Sequence, residues 1–161
     1  MRKLATLFVL MSLAAVPLAL AATGRAADEL TFSASASNPN DGQTTFDLNV
    51  QYLIGAAGNF LLGPTVTMFD AGETDGGLFG VAGKLRIGKT SGFWLGFRVQ
   101  KPSGDVADSV DYAADGLAGF DVGTEHVFAT FYGGRTWTRD KAGATTNPEG
   151  TNFNAGLGWR F

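Results

Sequence analysis

The chain has no cysteine, one histidine and few charges: 17% of its 161 residues are Asp, Glu, Lys or Arg. Zero cysteine excludes a disulfide framework, a thiolate-ligated metal site, a thiol nucleophile and a lipidated N-terminal cysteine. The net charge of -3 argues against a nucleic-acid binder, which carries a basic face. No phosphate-cradling loop, dinucleotide fingerprint or zinc spacing occurs. No apolar run beyond the first twenty or so residues is long enough for a membrane helix. What is abundant is glycine, 23 residues with no collagen period.

The first segment reads as an export signal. Arg2 and Lys3 precede an apolar run from Leu4 to Leu20, and Ala19-Leu20-Ala21 is a small-x-small cleavage site. The expected division is therefore a signal peptide over 1–21, with cleavage as late as 26 also open, and one barrel domain over 22–161. Cleavage after Ala21 removes two bases and no acid, taking the net charge from -3 to -5.

The rest alternates with a period of two, the mark of strands with two unlike faces. Phe46, Leu48, Val50, Tyr52 and Ile54 alternate with Asp47, Asn49, Gln51 and Leu53. Phe79, Val81, Gly83, Leu85 and Ile87 alternate with Gly80, Ala82, Lys84 and Arg86. Phe93, Leu95, Phe97 and Val99 alternate with Trp94, Gly96, Arg98 and Gln100. Similar ladders begin near Leu30, Leu62, Tyr112, Val127 and Phe153, making eight strands. Both faces of the third and seventh carry apolar groups, so alternation alone leaves their orientation open. Short connections at 55–59, 88–92 and 123–126 interleave with longer ones at 38–43, 70–77, 101–111 and 138–150. Short turns at one end and long loops at the other predict an all-β fold: an eight-stranded antiparallel up-and-down transmembrane β-barrel.

The last ten residues, Asn152 to Phe161, place Phe153, Leu157, Trp159 and Phe161 on alternate positions and stop on an aromatic ring. This resembles the C-terminal assembly signal of bacterial outer-membrane barrels. The chain as a whole resembles the small eight-stranded type, OmpA- and OmpX-like. The resemblance implies an integral outer-membrane location and recognition by the barrel assembly machinery. Outer-membrane lipid and lipopolysaccharide are the implied surroundings, and a monomer is expected.

With the C-terminal apolar set facing lipid, Tyr52, Trp159 and Phe161 are expected at the periplasmic rim, and Tyr112 and Trp137 at the outer rim. The opposite face, the lumen, then carries Glu29, Asp47, Asp115 and Asp121 with Lys84, Arg86, Arg98 and Arg160. Eight strands leave an interior that side chains fill, and buried charges are costly unless paired. Strand order suggests Arg98 with Asp115 and Arg160 with Glu29. The lumen glycines Gly80, Gly96, Gly119, Gly134, Gly156 and Gly158 would make room for long neighbours such as Arg98 or Tyr132.

Catalytic candidates are thin. The lipid A deacylases use a His-x-Ser arrangement, whereas His126 is followed by Val127 and Phe128 and lies in a short turn on the periplasmic side. A Ser-His-Asp triad meets the same difficulty. Acidic loop clusters (Asp70, Glu73 and Asp75; Asp105, Asp108 and Asp111) lack an EF-hand spacing and read as solvated, with Gly76-Gly77 as turn residues. Arg139 and Lys141 in the last loop could touch lipopolysaccharide phosphates. No enzyme, cofactor or metal is expected. The leading reading is a barrel with a structural or surface-interaction role through its outer loops. The rivals are a narrow pore for ions or small solutes, and a soluble periplasmic barrel holding an apolar ligand.

Overall fold

The computed structural model describes residues 28–38, 45–57, 59–71, 74–88, 91–143 and 149–161. The expected signal peptide and both of its cleavage sites lie outside the described residues. The strands are β1 (Glu29–Asn38), β2 (Thr45–Ala57), β3 (Phe60–Ala71), β4 (Thr74–Ile87), β5 (Gly92–Gly104), β6 (Val110–Gly123), β7 (Val127–Asp140) and β8 (Glu149–Arg160). Each pairs antiparallel with the next, and β1 pairs with β8 to close the barrel. Closure leaves no free edge, so the strand backbones satisfy one another.

Polarity is inverted relative to a water-soluble barrel. Phe46, Phe93 and Phe153 on the outer face are 69%, 67% and 69% exposed, whereas inward-facing Glu29 is 0% exposed. This contradicts the soluble barrel with an apolar interior: its apolar groups would face in and its charges out. Lipid is the solvent that makes the observed arrangement favourable. The open faces of β3 and β7 are settled as well. Leu62 and Phe131 face out, and Leu61, Phe128 and Tyr132 are buried.

Three sequence expectations are corrected. The connection at 70–77 is not a long loop: β3 runs to Ala71, β4 starts at Thr74, and Asp70 pairs with Asp75. Gly76 and Gly77 are not turn residues. They lie inside the sheet, opposite Phe69 and Met68 on one side and Gly104 and Ser103 on the other. Continuing the ladder pairs backbone groups that a loop would leave to water, which outweighs the turn preference of glycine. The strict alternation of short and long connections therefore fails at this hairpin. Finally, Tyr52 does not present its ring as an open girdle residue. It is buried, and its hydroxyl donates to Asp28 Oδ2 at 3.1 Å. That carboxylate also accepts the Gly55 N–H through Oδ1, at 3.1 Å, pinning the end of β2.

Candidate functional site

The lumen is the place where this barrel concentrates chemistry. Alternation sends every second side chain inward, and closure brings residues from distant strands together. They form two charged layers separated by an aromatic one.

The layer nearest the chain termini is a five-charge network. Lys84 Nζ donates to Glu29 Oε2 at 2.8 Å and to Asp121 Oδ2 at 2.7 Å. Arg160 spans the same two acids, through Nε to Glu29 Oε1 at 2.8 Å and Nη2 to Asp121 Oδ2 at 2.9 Å. Arg86 Nη1 adds a third contact to Glu29 Oε1, at 3.1 Å. Trp94 Nε1 donates to Asp121 Oδ1 at 2.9 Å. The Phe128 ring lies under both cations, 5.0 Å from Lys84 Nζ and 4.0 Å from the Arg160 guanidinium carbon. These residues come from β1, β4, β5, β6, β7 and β8, so the network ties most of the circumference together.

Above it, Trp94, Leu117 and Tyr132 pack into a buried cluster, with Trp94 and Tyr132 ring centroids 5.2 Å apart. The Tyr132 and Ser33 hydroxyls share a hydrogen bond of 2.6 Å. To one side Asn49 donates to Thr65 and Thr67, at 3.0 and 2.7 Å, and Gln100 donates to Thr67 at 3.0 Å. The small lumen residues that admit these groups are glycines. A Cβ on Gly119 would lie 2.5 Å from Trp94 Cζ2 and 2.6 Å from Tyr132 Cβ, and one on Gly158 would run into the Phe128 ring. The space thus goes to Trp94, Phe128 and Tyr132, not to Arg98.

The layer nearer the loops is smaller. Arg98 Nε donates to Asp115 Oδ2 at 2.7 Å, and the Thr136 hydroxyl donates to Asp115 Oδ1 at 2.6 Å. Asp47 accepts the Ser35 hydroxyl at 3.1 Å. The two layers differ in charge. The terminal-end layer holds three bases and two acids (Lys84, Arg86 and Arg160 against Glu29 and Asp121). The loop-end layer holds Arg98 against Asp115 and Asp47.

Both pairings expected from strand order, Arg98 with Asp115 and Arg160 with Glu29, are present. The Lys84 and Arg160 bridges to Asp121 were not foreseen, because they cross the lumen between strands that are not neighbours. His126 sits exposed in the β6–β7 turn at the terminal end, where its carbonyl accepts the Arg160 N–H. Arg139 lies over the Tyr112 ring at 5.9 Å, and the Lys141 N–H donates to the Ser109 carbonyl at 3.1 Å. Among the described residues, no three side chains of His, Cys, Asp or Glu are grouped to hold a metal. Of the C-terminal residues, Phe153, Leu157, Trp159 and Phe161 all face outward, and the Phe161 N–H donates to the Asp28 carbonyl.

No protein-family model matches the chain, and no curated protein matches it in sequence. Solved structures do match. The N-terminal β-barrel domain of Pseudomonas aeruginosa OprF superposes with a TM-score of 0.59 at 10% identity, covering 85% of this chain and 98% of that one. Neisserial surface protein A gives 0.57 at 14% identity, covering 84% and 96%. The Yersinia pestis outer-membrane protein Ail gives 0.52 at 10% identity, covering 84% and 99%. This chain has their fold. It is a small eight-stranded antiparallel barrel with the fold of these outer-membrane proteins, as the strand ladder implies.

Proposed function

We propose that this protein is an integral outer-membrane barrel that works with a closed lumen, contributing to envelope structure and to surface interactions through its loop end. The observation that carries this is the pair of bridges from Lys84 and Arg160 to both Glu29 and Asp121. Side chains from several walls meet in the middle and are almost fully buried. A conducting path would have to break charge-assisted hydrogen bonds in a site of low dielectric, where an unpaired charge costs several kcal/mol. The charged lumen is on this reading a plug that ties the strands together. Interaction with the outside is left to the loop end and the outer wall.

The test is planar-bilayer recording of the refolded chain, with folding checked by heat-modifiable gel mobility. A closed lumen predicts silence from a folded barrel. Discrete steps would support the narrow pore instead, lined by Asp47, Lys84, Arg86, Arg98, Asp115 and Asp121.

A further inference from the structure

The terminal-end network leaves one donor over. Glu29 accepts Lys84 on Oε2 and both Arg86 and Arg160 on Oε1. Asp121 accepts Trp94 on Oδ1 and both Lys84 and Arg160 on Oδ2. Every carboxylate oxygen of the layer is therefore engaged. Lys84 and Arg160 each reach both acids, and Arg160 Nη1 also donates to the Thr124 carbonyl at 3.3 Å. Arg86 reaches only Glu29, through Nη1. Its Nε is buried and has no partner among the described residues. A buried donor without an acceptor is costly, and few are tolerated in a folded protein.

The charges point the same way. Three cations face two acids, so the layer carries one positive charge in excess. Neighbouring acids do not cancel it. Asp28 faces the other side of β1, toward the Tyr52 hydroxyl and the Gly55 N–H. Glu125 is exposed in the β6–β7 turn. The Arg86 side chain is only 12% exposed, so its charge is poorly answered by water.

A small space borders both arginines. It measures about 10 Å³ and is lined by Arg86, Arg160 and Asp121, with Gly88, Ser91 and Gly92 of the β4–β5 turn at its rim. The rim is fixed: the Ser91 hydroxyl accepts the Gly123 N–H at 3.2 Å and donates to the Gly123 carbonyl at 3.3 Å. The volume suits one particle about the size of a water molecule. It excludes a phosphate or a carboxylate. Asp121 borders the same space, but its charge is shared among Lys84, Arg160 and Trp94.

We propose that this space is a binding site for one small monatomic anion, chloride, held by Arg86 Nε and the Arg160 guanidinium. Water would satisfy the donor and leave the excess charge. A chloride ion answers both, through charge-assisted hydrogen bonds. Bound there, it neutralises the layer and completes the plug at the terminal end. The inference deepens the closed-lumen reading and rests on its network.

Crystals of the refolded chain grown in bromide test it, because bromide scatters anomalously and water does not. The expected result is an anomalous peak within hydrogen-bonding distance of Arg86 Nε. Urea unfolding in phosphatidylcholine bilayers gives a second readout. At constant ionic strength, replacing gluconate by chloride should raise the folding equilibrium constant in a saturable way. The gain should be about tenfold at ten times the half-saturating concentration. Arg86→Gln should abolish this dependence, and Lys101→Ala, at an exposed position of β5, should keep it. If Arg86→Gln fails to fold, the wild-type peak and titration decide. No peak at Arg86, bromide at the surface alone as an adventitious ion only, or a chloride response that Arg86→Gln retains would overturn the site and leave the plug standing. Discrete conductance from the folded wild type would overturn the plug itself.

Discussion

Glu29 and Arg160 are register partners across the seam where β1 meets β8, and their side chains form an ion pair of 2.8 Å inside the lumen. The first and last strands are thus joined by backbone pairing and by charge at the same level. Glu29 is also the acid on which Lys84 and Arg86 converge. It is the centre of the terminal-end network.

Replacing Glu29 by Ala leaves three cations with one remaining acid. The expected cost is about 3–5 kcal/mol, that of stranding buried charge. Urea unfolding in lipid bilayers, followed by heat-modifiable mobility, measures it. A loss within about 0.5 kcal/mol, typical of a surface substitution, would mean that the network does not hold the barrel.

Lys84→Met should be milder than Glu29→Ala. The layer has one more base than acid, and Arg160 still spans Glu29 and Asp121 after Lys84 is gone. Adding Lys84→Met to Glu29→Ala should recover part of the lost stability, since residues in one network are not additive. Strictly additive losses in this double-mutant cycle would contradict the shared bridge.

Gly158→Ala drives a methyl group into the Phe128 ring. Overpacking of this kind costs about 1–3 kcal/mol. Pairing it with Phe128→Leu should relieve the clash and raise the unfolding midpoint above that of Gly158→Ala alone. No relief would show that the strain lies in the backbone.

Much of this was legible in the sequence, for identifiable reasons. Period-two alternation reports a strand and its faces, and adjacent strands can be paired by order. Both pairings inferred that way, Arg98 with Asp115 and Arg160 with Glu29, are present. Contacts between strands that are not neighbours were not legible. Lys84 meets Asp121 only because the closed, staggered barrel brings β4 and β6 to one level. The hairpin at Asp70 and Asp75 was misread because loop-forming residue types signal a turn even where backbone pairing continues.

Deleting Phe161 separates folding from assembly. Phe161 follows the last strand, faces out and contributes one backbone hydrogen bond to Asp28. If the C-terminal pattern serves recognition, the deletion should sharply lower the amount of barrel assembled in cells while refolding in detergent proceeds. Equal loss in both settings would assign Phe161 to the stability of the barrel alone.

The most direct test of the central claim is single-channel recording of the folded wild type beside Lys84→Ala. A lumen closed by bridges predicts no discrete conductance from wild type across a range of applied voltages. Reproducible steps from folded wild type, resized by Lys84→Ala, would contradict it and make the same charges the lining of a pore.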